Sequence, residues 1–266
     1  MRYTDTLTVG DKRFDWIEVA SLPDYGINGE LYFAKALKSL YNIDQYIDVG
    51  GAVIGACGQS PLNIMNCKSI VIDTHSLPPS DDQIKSIHGL VGRDQPHQLD
   101  FLLEGRNIFI KIDVDGNDLD VLHTLNSGWH GSVDPHILAI QFEYDFHWEK
   151  KNLTFPINLQ DAFEHLPYED FYAIEHNGLT KIDLPLPDGD YNYRNVVCGE
   201  FDFEAISSKM NEMAVLKSGQ YQHHDSQSIA FVDRLLWWHK NELNKGNTAK
   251  RRKDIYPHDT FRSSND

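Results

Sequence analysis

Apolar residues gather in short, nearly continuous runs at 46–49, 69–72, 108–112, 137–142 and 171–174, with a weaker run at 87–91. Runs of this length, rich in Val and Ile and lacking alternation, predict strands buried on both faces, as in a parallel sheet. Stretches with helical spacing separate them at 61–66, 117–127 and 159–166. Strand alternating with helix predicts a Rossmann-like α/β domain, a mostly parallel sheet flanked by helices. Ahead of it, residues 2–19 alternate loosely about Val9-Gly10-Asp11-Lys12, which predicts a hairpin. Leu31, Ala34, Leu37 and Leu40 then recur every third position, which predicts an amphipathic helix with Asn28 as a candidate cap.

The pattern changes after Phe203. Residues 226–243 predict one helix, with Ile229, Val232, Leu236 and Leu243 along one face and Phe231, Leu235 and Trp238 beside it. That arc is broad enough to predict packing against the domain or against a second subunit, hence a homodimer through this helix. The KGNTAKRRKD stretch and the Ser/Asn/Asp-rich end predict a mobile tail. The chain thus divides into an N-terminal hairpin and helix (1–42), an α/β domain (43–203) and a C-terminal helix with tail (204–266).

Composition narrows the partners. The 266 residues hold 24 Lys+Arg against 40 Asp+Glu, a net charge of −16, and are 41% apolar and 11% aromatic. The apolar and aromatic content suits a folded chain. The negative balance argues against nucleic acid or an anionic membrane as the main partner, since both repel such a surface. Only the end is locally basic, with seven Lys/Arg against four Asp/Glu in 239–266. Three cysteines at spacings that fit no metal knuckle point to a reducing compartment. The first residues carry charges where a secretory signal needs an apolar core. The longest uncharged stretch, 49–67, contains Gln, Ser, Pro and Asn, so no membrane span is expected. These features predict a cytoplasmic protein.

Candidate chemistry lies where strands end. In QYIDVGGAVIGACGQS, a buried strand delivers Asp48 into a turn with Gly50 and Gly51. Glycines there let the backbone approach a ligand, and Asp48 suits a cationic or amino-bearing cofactor. Gly50, Gly51 and Gly55 do not form the dinucleotide G-x-G-x-x-G pattern, and a plain tight turn explains the same residues. Asp73 ends the next strand, where an acid commonly accepts hydrogen bonds from ribose hydroxyls; a solvated strand-end Asp is the alternative.

The richest segment is NIFIKIDVDGNDLDVLHTL. Its strand is interrupted by Lys111 and delivers Asp113 and Asp115, all three on one face, before Gly116 turns the chain into a helix. Two acids and a lysine at one strand end are costly unless solvated, paired or metal-bound. Asp115 or Asn117 as a helix cap would account for one acid, not the triplet. A further strand runs out into Glu143, Asp145 and His147, again spaced by two. Neighbouring strands of an open sheet share a crevice, so Glu143 and Asp145 are expected to face Asp113 and Asp115. Such a cluster can bind a divalent cation, hold a carboxyl protonated or supply a general base. An acidic surface loop is the alternative in a chain with 40 acids.

Together, YIDVGGAVIG, IVIDTHS, HQLDFLL, IFIKIDVDGNDLDVL, ILAIQFEYDFH, FYAIEHNGL and NYRNVVCG resemble the FkbM family of S-adenosylmethionine-dependent methyltransferases over about residues 45–200. The most specific element is KIDVDGNDLDVL, similar to the family's lysine–hydrophobe–Asp–Val–acid–Gly signature. The resemblance implies a class I methyltransferase domain acting on a hydroxyl of a sugar, a sugar nucleotide or an intermediate of surface-polysaccharide or natural-product biosynthesis. It implies that Asp48, Gly50, Gly51 and Asp73 hold S-adenosylmethionine, with Arg93-Asp94-Gln95 in the place that orients adenine. It leaves Asp113, Asp115 and Glu143 near the acceptor, with Asp115 as general base and Lys111 as a further candidate catalytic residue. Similar sugar O-methyltransferases hold Mg²⁺ with acids at these strand ends, which here would be Asp113, Glu143 and Asp145.

Two other readings stay open. IFIKIDVDGN also resembles a haloacid-dehalogenase motif, a phosphatase with Asp113 as nucleophile and Asp115 as acid/base. That reading leaves the glycine turn and Asp73 without a role. A non-catalytic, methyltransferase-like binding protein is the other, supported by the irregular Gly51–Gly55 turn. The acceptor would be recognised by loops such as 178–194, with Tyr191, Tyr193 and Arg194 suited to a sugar or a phosphate.

Overall fold

The runs of Val and Ile become the strands of one sheet. A computed structural model describes residues 6–9, 12–15, 29–50, 61–74, 77–114, 116–125, 135–144, 159–175, 177–182 and 194–214. Near the start of the sequence, β1 (Thr6–Val9) and β2 (Lys12–Asp15) form an antiparallel pair with Val9 opposite Lys12, as the hairpin pattern predicts. The main sheet comprises β3 (Gln45–Val49), β4 (Lys68–Asp73), β5 (Ile84–His88), β6 (Asn107–Ile112), β7 (His136–Tyr144), β8 (Phe171–Glu175), β9 (Gly178–Lys181) and β10 (Arg194–Gly199). Their spatial order is β5-β4-β3-β6-β7-β10-β8-β9. The strands from β5 to β7 pair in parallel, while β10 runs antiparallel to both β7 and β8, and β9 is antiparallel to β8.

Helices cover both faces. On one face α1 (Glu30–Leu40), α2 (Pro61–Met65) and α5 (Phe203–Met213) pack on Tyr46, Val71, Phe109, Ala139, Val197 and Tyr172. On the other, α3 (Asp118–Leu122) and α4 (Leu159–His165) pack with Leu99 and Leu102 on Ile47, Ile70, Ile110, Ile140 and Phe171. Alternation along each strand separates these two cores. In α1, Leu31, Ala34 and Leu37 are buried and Leu40 is exposed, so the stripe read from sequence is the packed face for three of its four residues. Its N-cap position is Gly29, with left-handed backbone and no side-chain cap; Asn28, the expected cap, lies outside the described residues.

Three expectations need correction. The third strand is Ile84–His88, not 87–91. It is the sheet edge, partly exposed along its length, so Lys85, Ser86 and His88 replace the continuous apolar run of a central strand. The helix expected over 117–127 is α-helical only to Leu122 and then turns. After the sheet, α5 forms where no helix was expected, capped by Asp202, whose carboxylate accepts from the Ala205 N–H at 3.0 Å. The predicted helix at 226–243, its proposed dimer role and the tail lie outside the described residues. Among the described residues no helix is long and apolar enough to cross a membrane.

Candidate functional site

The sheet order fixes where a ligand crevice can open. From β3 the chain moves outward to β4 and β5, then crosses back to β6 on the other side of β3. The strand ends of β3 and β6 therefore part at a topological switch point, the usual ligand position in open α/β sheets. Val49 and Ile112 are the last registered pair, and the Asp113 N–H donates to the Val49 carbonyl at 2.8 Å. Gly50 follows at once, with φ +90° and its N–H donating to the Ile72 carbonyl at 2.8 Å. A Cβ on Gly50 would lie 1.8 Å from the Asp113 carbonyl oxygen. Only glycine permits both the left-handed backbone and this approach, so the first glycine of the motif joins the two strand ends.

The acids gather on the face covered by α1. Asp48 stands opposite Lys111 in the β3–β6 register, and Lys111 stands opposite Gln141 in β7. One step further along the same face come Asp113 and Glu143, just past the last β6–β7 pair, Ile112 and Phe142. Glu143 lies opposite Asn195 of β10. Asp73 ends β4. Asp48, Asp73, Lys111 and Glu143 are all buried, whereas the Asp113 side chain is 32% exposed. Among the carboxylates of this cluster, Asp113 is thus the one most open to a ligand from outside.

Lys111 organises this cluster. Its Nζ donates to Asp113 Oδ2 at 2.6 Å and lies 3.8 Å from Glu30 Oε1. Glu30, the first residue of α1, also accepts a hydrogen bond from Gln141 Nε2, which donates as well to Asn195 Oδ1 at 3.0 Å. A buried polar line therefore runs from β10 through β7 and the start of α1 to β6. Glu30, Gln141 and Asn195 are not signalled by the sequence, since only the strand register and the docking of α1 bring them to Lys111.

Asp48 occupies the costliest position. Burial raises its carboxyl above the ordinary carboxylate range; Lys111 and Tyr46 pull it down, and Asp113 and Asp73 push it up again. Among the described residues nothing hydrogen-bonds its Oδ1. A buried carboxylate oxygen without a donor is expensive unless a ligand supplies one.

The turn after Asp113 is held by a residue that the sequence reading passed over. Asp118 Oδ1 accepts from the Glu143 N–H at 3.0 Å, and Oδ2 from those of Gly116 and Val114 at 3.3 and 3.4 Å. It ties the loop leaving β6 to β7, while Asn117, at the N-cap position, makes no side-chain cap. Burial, then the charge of Asp113, push the Asp118 carboxyl up to about 7 against these three donors. Its folded-state value lies above that of the unfolded chain, so folding takes up a proton between about pH 4 and 7. That contribution is full below this window and is lost as pH rises through it. The urea midpoint should therefore fall between pH 5 and 7.5, and the slope should be shallower in Asp118→Asn. An unchanged slope would remove Asp118 as its source.

Of the other expected residues, Asp94 is on an exposed turn rather than in the buried cluster. Its neighbour Arg93 pairs through Nε with Asp120 Oδ1 at 2.8 Å, which anchors that turn to α3. Gly51, Asp115 and Asp145 lie outside the described residues. Among the described residues no group of three His, Cys, Asp or Glu side chains is placed to hold a metal ion. The oxygen of Asp113 nearest the cluster is already bound by an ammonium. The described donors therefore do not fit a divalent cation by themselves. Compared with protein families and with curated proteins, the chain matches no family model and no curated sequence.

Proposed function

We propose that the protein is an S-adenosylmethionine-dependent methyltransferase that modifies a hydroxyl, in keeping with the resemblance of its motifs. The observation that carries the reading is the junction of Gly50 with Asp113 at the switch point, beside the buried, undercoordinated Asp48. Strand order adds support. Counting from β3, the sheet reads three-two-one-four-five, then a reversed strand inserted before the last parallel one, an arrangement shared with class I methyltransferase domains. The extra strand β9 extends the far edge, away from the crevice.

The residues fit that cofactor. Asp48 would meet its charged end, the turn at Gly50 would lie beside it, and Asp73, ending the neighbouring strand, would receive the ribose hydroxyls. When bound, the cofactor supplies a methyl group already activated on a sulfonium. The protein then has to align a hydroxyl and take its proton. Lys111, fixed by Glu30, holds Asp113 at the rim. Asp115, two residues on, is the proposed general base. No metal step is included, because the described donors do not fit one. The acceptor class remains that of the resemblance, a sugar, sugar nucleotide or related intermediate.

Thermal denaturation with added ligands tests the reading. S-adenosylmethionine or S-adenosylhomocysteine at about 100 times its Kd should stabilise the fold by roughly 2.7 kcal/mol, seen as a raised Tm, while NAD should not. No shift with either adenosyl ligand at millimolar concentration would sink the proposal. A shift with NAD alone would favour a dehydrogenase.

A further inference from the structure

We infer that the stacked imidazoles of His123 and His165 form an acid-opened clasp, which joins the end of α3 to the end of α4 and lets go when His123 takes up a proton. The clasp lies on the sheet face covered by α3 and α4, opposite the acid cluster, and does not depend on the cofactor reading.

His123 follows α3 directly, and His165 is the last residue of α4. Their rings stack with centroids 4.3 Å apart and planes inclined by 19°. His165 Nε2 lies 2.9 Å from the Leu125 carbonyl oxygen. A carbonyl only accepts, so this nitrogen carries a proton and donates it. That bond closes the end of α4 onto the turn after α3. On the other ring, His123 Nε2 is buried, and among the described residues nothing hydrogen-bonds it. A cavity of about 380 Å³ adjoins the stack, lined by both rings together with Arg93, Gln98 and Asp100.

A neutral His123 fits here at the cost of one unmatched nitrogen. Protonation makes both ring nitrogens donors, so Nε2–H becomes a buried donor on a charged ring, without an acceptor among the described residues. The groups facing His123 are Arg93 on the turn after β5, Asp120 on α3, and Asp161 and His165 on α4, with Asp100 also lining the cavity. Burial, then His165 and Arg93, hold the His123 imidazole below the ordinary histidine range, while Asp120 and Asp161 act the other way. Asp120 is already bound to Arg93 Nε at 2.8 Å. Because the folded value lies below the unfolded one of about 6.5, the closed clasp contributes fully above that pH, and its contribution is lost as pH falls below it. This is opposite in sign to Asp118, so only a local measurement separates the two. The opening is local as well. Phe163 stacks on Phe171 at 3.7 Å, and the Tyr168 hydroxyl donates to the Ile137 carbonyl at 3.0 Å. Neither contact changes charge near pH 6, so both keep this segment on the sheet.

Hydrogen exchange on the full chain at pH 7.5 and 5.5, corrected for the intrinsic effect of pH, tests the clasp. Peptides covering the end of α4 should lose protection by up to ~10-fold at pH 5.5, the limit for one proton taken up one unit below 6.5. Peptides of β3 and β6 should keep theirs. His123→Phe retains a ring for the stack and takes no proton, so its α4 protection should be the same at both pH values. His165→Phe also loses the bond to Leu125 and should be open at both. Equal α4 protection of the wild type at the two pH values would overturn the clasp, as would a loss in His123→Phe as large as in the wild type. Should His123→Phe fail to fold, wild-type crystals at the two pH values decide. Rings apart at pH 5.5, with His165 off the Leu125 carbonyl, support the clasp, and rings stacked at both overturn it.

Discussion

Lys111→Met should be among the most damaging single substitutions in this chain, lowering stability by ~3–5 kcal/mol at neutral pH. The size follows from what is left behind. The Lys111 side chain is 4% exposed, and its removal strips the nearby cation from Glu30, Asp48 and Asp113. Breaking a buried pair by deleting one partner costs this much because the other charge remains in a medium that solvates it poorly. The loss should shrink in acid. Without the lysine, the Asp48 carboxyl, already raised by burial, loses the charge that pulls it down, so the folded chain binds more protons in the window above about pH 4. Stability of the variant should therefore recover as pH falls through that window. Urea denaturation of both proteins at pH 8 and pH 5 measures this. Glu30→Gln is the milder companion, since an amide oxygen can still accept from Gln141. Equal stability of Lys111→Met and wild type at pH 8 would mean that Lys111 does not balance the cluster.

Asp115→Asn should cut turnover by ~10²–10⁴-fold while cofactor affinity is retained, the usual effect of losing a general base. Asn keeps the size of the side chain and removes its capacity to take a proton. Transfer of labelled methyl to the acceptor gives the rate, and calorimetry with S-adenosylhomocysteine gives the affinity. A fall in both together would make Asp115 part of the cofactor site. A wild-type rate would return it to the role of a loop acid and leave Asp113 as the remaining candidate at the rim.

The residues that read clearly in the sequence are those whose meaning is local. Central strands β3, β4, β6 and β7 are continuous apolar runs because both faces are covered, and their polar ends stand out: Asp48, Asp73, Lys111 with Asp113, and Glu143. The tight turn at Gly50 was likewise legible, but the contact that requires glycine there, with the Asp113 carbonyl, was not. Strands at the margins were not. Among the described residues β5 pairs with a strand on one side only, and it mixes polar with apolar residues, which shifted its expected position by three residues. β9 and β10 are short antiparallel segments, GLTK and RNVVCG, with too few apolar residues to mark a strand.

The polar line behind the site was hidden for a different reason. Glu30 and Gln141 are 111 residues apart, and each reads alone as an ordinary surface residue. Their role exists only once α1 docks on the sheet and β7 takes its register beside β6. Asp118 was obscured by its neighbours, since Asp115 and Asn117 are the more obvious caps; three backbone N–H groups from two segments choose Asp118 instead.

The central claim is that an adenosyl cofactor binds at the crevice where β3 and β6 part, and a crystal structure of the complex with S-adenosylhomocysteine tests it most directly. The ligand should lie against Gly50, with its ribose hydroxyls on Asp73 and its sulfur on the side of Asp48 and Asp113. The ligand seated elsewhere on the chain, with the Gly50–Asp113 junction uncovered, would contradict it.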